Sequence, residues 1–176
     1  MGENAADSSE VLRKAIDMEL EGMDFFERAS QQVEDQRAKD MFIGLLKQEQ
    51  RHALVLAEEL KELEQGRKWA PLEETRKKVS GMQASSVFRD REVRRLVMKP
   101  DIGELEVLRI GMAVEKKSID YYRAAGKTVP DGRAKEVFNW LVGEEAGHLT
   151  VLNAEYDNRS RSGFHYDNAE FSLEVE

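Results

Sequence analysis

Cysteine is absent from all 176 residues, and that omission removes disulfides, thiolate zinc sites, iron–sulfur clusters and rubredoxin-type iron centres together. Proline occurs only three times, and the chain is rich in Glu, Lys, Arg, Leu and Ala, so the composition favours helix over strand. No apolar run approaches the roughly 18 residues that a membrane span requires. Met1 to Glu10 also lacks the basic start and apolar stretch of a secretory signal. The expectation is a soluble, cytoplasmic protein with no membrane partner. The length fits one domain, 1–176, with enough chain to bury a core.

The net charge of -8 argues against nucleic-acid binding, but it is unevenly spread. Between Gly66 and Pro100 ten basic residues face four acidic ones, so this stretch is +6 and the remainder -14. The basic side chains include Arg89, Arg91, Arg94 and Arg95. They read as a solvated surface, with docking of an acidic partner as the functional alternative.

Histidine is scarce too, at three, and two of the three end the same phrase: Glu49-x-x-His52 and Glu145-x-x-His148. The phrases lie 96 residues apart, as do Glu19 and Glu115. Laid over each other at that offset, residues 10–59 and 106–155 agree at 19 of 50 positions without a gap. The chain is one helix pair written twice. The first helix is expected to start after Asp7-Ser8-Ser9 and run to about Gln32, and the second to run from Asp35 to Gln65 with Gly66 as its C-cap. The third runs from Pro100-Asp101, with Glu104 placed for a capping box, to about Lys127, and the fourth from Pro130-Asp131 to about Asn158. Short connections make each pair, 8–65 and 101–158, antiparallel. The crossover, 66–100, is long enough to traverse a bundle and has room for short helices near 72–79 and 85–97. The tail, 159–176, could lie on the bundle, pair with another subunit or stay mobile.

Residues three apart on a helix share a face, so Glu and His at that spacing aim an oxygen and a nitrogen at one point. Here each pair sits inside an apolar stripe, and each partner helix adds one core-facing glutamate. Four carboxylates sharing a core would repel one another and lose hydration, at several kcal/mol per ion. Two divalent cations cancel that charge. The six candidate ligands are Glu19, Glu49, His52, Glu115, Glu145 and His148, with Glu49 and Glu145 as bridges, Glu19 and Glu115 terminal, and one histidine per ion. Carboxylate and imidazole without sulfur suit iron or manganese and admit zinc. His165 has no glutamate at the required spacing and is expected to be exposed.

This ligand pattern, one Glu from each of two helices and Glu-x-x-His from each of two others, resembles the ferritin-like superfamily. The phrases from Ala15 to Phe26 and from Glu115 to Tyr122 look like its rubrerythrin-type branch, over roughly residues 8–158. The resemblance implies an all-α four-helix bundle, often a homodimer, whose two iron ions react with hydrogen peroxide or dioxygen in defence against oxidative stress. The rubredoxin-like electron-transfer domain of that branch is missing here, so electrons would come from an external donor protein. Members of that branch with peroxidase activity commonly carry an extra carboxylate one turn after the third-helix ligand, where this chain has Ser118. That leaves the six-ligand oxidase or ferroxidase pattern. Tyr122, two turns beyond Glu115, is the candidate catalytic residue, with a hydroxyl able to bond a ligand carboxylate or supply an electron; Phe26, at the matching place, cannot. Tyr121 and Trp140 are weaker candidates, and Glu144 points off the ligand stripe, either to the surface or to a place behind the ligands. Two other functional classes fit the same residues: ferroxidase activity serving iron storage or detoxification, and a scaffold with a structural dinuclear site.

Overall fold

The computed structural model describes residues 3–88 and 102–160, with side chains from residue 8 onward. Among these, four long helices carry the fold: α1 (Glu3–Gln32), α2 (Gln36–Glu64), α5 (Glu104–Thr128) and α6 (Gly132–Ser160). Two short ones, α3 (Leu72–Val79) and α4 (Ala84–Val87), lie in the crossover. The expected all-α, ferritin-like bundle of two helix pairs is what forms. α1 packs along α2 and α5 along α6, and the pairs join chiefly through α1 against α5.

The repeat extends to the turns. Val33 and Val129 are both buried, and two residues later Asp35 and Asp131 cap α2 and α6. Asp35 accepts from the Ala38 N–H at 2.9 Å, and Asp131 from the Arg133 N–H at 2.8 Å. At the far end of α2, Gly66 has φ of +75°, its N–H bonds to the Leu63 carbonyl, and the Arg67 N–H bonds to that of Glu62. This paired bonding satisfies the last carbonyls, and its positive φ suits glycine.

Expectations at two helix starts need correction. α1 begins at Glu3, ahead of the Asp7-Ser8-Ser9 caps, because Ala5 and Ala6 are strong helix formers and extend it. α5 starts at Glu104 after Gly103, without a side-chain cap. Glu104 makes no capping box: its carboxylate accepts from the Glu34 N–H at 3.0 Å and takes Arg159, which also binds Asp35 at 2.7 Å. It ties one helix pair to the other. The expected helix near 72–79 is present, whereas that near 85–97 is described only as Ala84–Val87. Its remainder, the basic residues 89–99, the tail from 161 and His165 lie outside the described residues.

The crossover is anchored by a buried acid. Glu59, fully enclosed on α2, accepts from the Ala70 N–H at 3.1 Å and from the Thr75 hydroxyl. Trp69 is buried against Phe138, and its carbonyl accepts from Arg133 at 2.9 Å. The core consists of two apolar clusters. One includes Leu12, Ile16, Leu56, Tyr122, Phe138 and Leu141; the other includes Phe25, Phe26, Phe42, Leu45, Leu108 and Leu152. Their junction falls at Glu19, Glu49, Glu115 and Glu145.

Candidate metal centre

At that junction each long helix turns an acid inward, and all six expected side chains are buried: Glu19, Glu49, His52, Glu115, Glu145 and His148. Ligand-capable atoms of Glu19, Glu49, His52 and Glu145 lie within 4.8 Å of one another, and so do those of Glu49, Glu115, Glu145 and His148. Glu49 and Glu145 belong to both groups. Each group could hold one ion, with the two shared carboxylates between them. The imidazole Nδ1 atoms face inward. That of His52 lies 3.1 Å from Glu145 and 3.5 Å from Glu19, and that of His148 lies 2.9 Å from both Glu49 and Glu145.

These atoms are close, yet they do not satisfy one another. Glu19 Oε2, Glu49 Oε1, Glu115 Oε1, both oxygens of Glu145 and both Nδ1 atoms are buried without a hydrogen bond of normal geometry. Buried polar atoms are rarely left so, because each unpaired group costs about 1–3 kcal/mol. Lone pairs that converge on common points and miss each other are what cations would satisfy, so the donor set fits metal.

The electrostatics agree. Burial, reinforced by the charges of Glu145, Glu19 and Glu115, holds the Glu49 carboxyl well above the ordinary range. Burial likewise pushes Glu115 up to about 8, partly opposed by its contact with His148 at 3.5 Å. Burial acts downward on the imidazoles, but their carboxylate neighbours win, raising His148 to about 10 and His52 well above its usual value. Glu145 is pulled the other way: contacts with His148 and His52 overcome burial and hold it below the usual range. Without metal, the centre retains protons where cations would otherwise sit.

The surroundings of the two groups differ despite the repeat. Tyr122, fully buried, donates its hydroxyl to Glu19 Oε1, across the bundle from its own helix and away from Glu115. Burial and the Glu19 charge raise its pKa well above the ordinary phenol value, so it stays a donor. Phe26, its counterpart, stacks on Phe42. Glu144, which reads from sequence as off the stripe, reaches behind His52: its Oε2 lies 3.6 Å from Nε2, and that contact lowers its pKa. The Nε2 of His148 has no such partner. Trp140 stands edge-on to His52 with ring centroids 5.2 Å apart. Tyr121 is not part of the centre; its hydroxyl bonds to the Val11 carbonyl at 2.9 Å.

Gly22 is the residue that sequence reasoning missed, whereas Glu144, expected at the surface or behind the ligands, lies behind one of them. A Cβ on Gly22 would sit 3.0 Å from Glu49 Oε2, so a glycine inside a helix, unusual in itself, makes room for a shared carboxylate.

A family profile described as Rubrerythrin matches residues 10–156, most of the chain and all six side chains. The chain belongs to the rubrerythrin family. No curated protein matches it significantly. Among solved structures, the chain is similar to a two-domain protein from Anabaena variabilis containing DJ-1/ThiJ/PfpI-like and ferritin-like domains, with a TM-score of 0.65 and 15% identity. The alignment covers 98% of this chain and 42% of that one, and at this identity it speaks for the fold alone. Rubrerythrin family membership and the buried carboxylate–imidazole cluster together describe a carboxylate metal centre inside a helical bundle. Among the described residues no helix is long and apolar enough to cross a membrane.

Proposed function

We propose that this rubrerythrin family protein is a di-iron oxidoreductase that reduces hydrogen peroxide or dioxygen with electrons from an external donor. Glu49 and Glu145 would be shared by the two ions, Glu19 with His52 would complete one subsite, and Glu115 with His148 would complete the other. The observation that carries this reading is that the two ligand groups share Glu49 and Glu145. Sharing them gives each ion four side chains from a set of six.

Iron, when bound, supplies one electron per ion and an open coordination position for the oxidant. The donor set of oxygens and imidazole nitrogens suits it, and manganese or zinc would fit less redox-active roles. The chain's own residues supply the rest. Tyr122 occupies Glu19 Oε1, which leaves Oε2 free for the ion. As the one hydroxyl on a ligand carboxylate among the described hydrogen bonds, Tyr122 is also the residue best placed to give up a proton and an electron. Glu144 lies behind His52, its Oε2 3.6 Å from Nε2, where its charge favours Nδ1 facing inward and raises its basicity. The two apolar clusters keep bulk water from the reacting atoms. With no cysteine, the sequence holds no iron–sulfur or rubredoxin-type relay, which favours an external electron donor.

Anaerobic loading with ferrous iron, followed by one equivalent of peroxide, tests this proposal. Ferric charge-transfer absorbance and stoichiometric loss of peroxide are expected, with dioxygen as a slower or equal oxidant. Neither absorbance nor oxidant loss with a fully loaded protein would rule the reading out.

A further inference from the structure

Behind His52, on the side away from the carboxylates, lies a cavity of about 980 Å³ between α2, α3, α4 and α6. His52 itself forms part of its wall, and so does Trp140. The protein as a whole is acidic, but this cavity is not. Lys47 and Arg51, one turn apart on α2, and Arg76 and Lys77, adjacent on α3, line it against Glu73 and Glu144, a local balance of +2 in a chain of -8. Both acids are engaged: Glu73 pairs with Arg76 at 2.7 Å, and Glu144 turns to His52. Lys47, Arg51 and Lys77 are exposed and make no ion pair among the described residues. Three exposed cations on one cavity wall, without an ion pair among the described residues, attract anions, and a cavity with low-dielectric walls strengthens that attraction.

Another part of the wall has a different character. The Arg76 guanidinium lies over the Trp140 ring, 5.4 Å from its centroid, and the Trp140 edge meets the His52 imidazole. Buried Leu54, Val55 and Val79 add apolar surface beside them. Guanidinium planes and indoles stack readily on aromatic rings. The volume lies at the upper end of what small-molecule pockets occupy.

We propose that this cavity binds a small aromatic anion, its ring against Trp140 and Arg76 and its phosphate or carboxylate at Lys47, Arg51 and Lys77. Trp140 and Glu144 would stand between such a ring and the buried imidazole of His52, whose other nitrogen faces the carboxylate cluster. The inference goes beyond the redox reading and stands without it.

Flavin mononucleotide is a suitable probe, because its fluorescence is quenched when its ring stacks on an indole. Titration into the full chain loaded with zinc, which is redox-silent, should give saturable quenching at one flavin per chain. The double variant Lys47→Gln/Arg51→Gln should bind about tenfold more weakly at low ionic strength, the difference shrinking with added salt. Riboflavin, the same ring without the phosphate, should also bind more weakly than the mononucleotide, a comparison that needs no variant. Absence of saturable quenching would overturn the proposal, and so would equal binding of both flavins or by both proteins. Neither failure would touch metal content, so the two readings fail separately.

Discussion

Gly22→Ala should push stability and metal affinity in opposite directions. In a helix interior, alanine is favoured over glycine by roughly 0.5–1 kcal/mol. For a chain of this size that raises the melting temperature by about 1–4 °C. The new Cβ, however, arrives 3.0 Å from Glu49 Oε2, closer than ordinary van der Waals contact, so the carboxylate must withdraw by a few tenths of an ångström. In the metal-free protein that shift is easy, because the Glu49 carboxyl is the end of a flexible side chain held mainly by burial. With metal it is not, since Glu49 is shared by both ligand groups, and a misplaced bridge weakens both. A tenfold loss of affinity, about 1.4 kcal/mol, is the scale expected. Melting curves of the metal-free protein and metal titration against a competing chelator read the two effects. Unaltered affinity together with a raised melting temperature would show that Gly22 does not make room for Glu49, and the geometric argument would fail.

Glu144→Gln keeps the shape behind His52 but removes the charge, so one metal subsite should weaken about 10–100-fold and titration should become biphasic; uniform weakening of both ions, or none, would count against the asymmetry of the two subsites. Thr75→Val leaves Glu59 buried with one donor fewer and should cost about 1–3 kcal/mol at unchanged metal content. Thermal unfolding with elemental analysis checks both halves of that prediction. The metal-free protein should lose stability as pH rises. Glu115, raised to about 8, and His148, raised to about 10, keep protons when folded that the unfolded chain has released above its own values of about 4.5 and 6.5. Each contribution is complete below the unfolded value and is lost as pH climbs through the folded one, at up to about 1.4 kcal/mol per pH unit. Denaturant unfolding from pH 6.5 to 10 should therefore fall for the metal-free form and stay nearly flat for the loaded form; a rising metal-free curve would contradict the assignment.

Much of this was legible because the duplication is nearly gapless. The 96-residue offset carries the ligand positions, the buried valines and the capping aspartates of both turns, so matched helices bring matched acids to one level. What periodicity cannot supply is contact across the bundle. Tyr122 lies on the stripe of Glu115, yet its hydroxyl ends on Glu19 of the opposite pair. Glu144 is one residue from Glu145, a rotation of about 100° that leaves the stripe but faces the flank of α2, where His52 waits. Glu104 has the spacing of a cap but finds better partners in Glu34 and Arg159. Even the repeat misleads in places: Glu59 and Glu155 are equivalent positions, yet one anchors the crossover from inside and the other pairs with Arg159. Gly22 did leave a signal, a glycine within a ligand-bearing helix, which reads as close approach once Glu49 is known to face it.

The central claim is tested most directly by counting metal. Protein stripped of metal, reloaded anaerobically with ferrous iron, freed of excess and measured for iron and protein together should contain two irons per chain, and Glu49→Ala, which removes a shared ligand, should retain less than one. A wild-type protein that binds one iron or none, or a variant that loads as fully as the wild type, would contradict it.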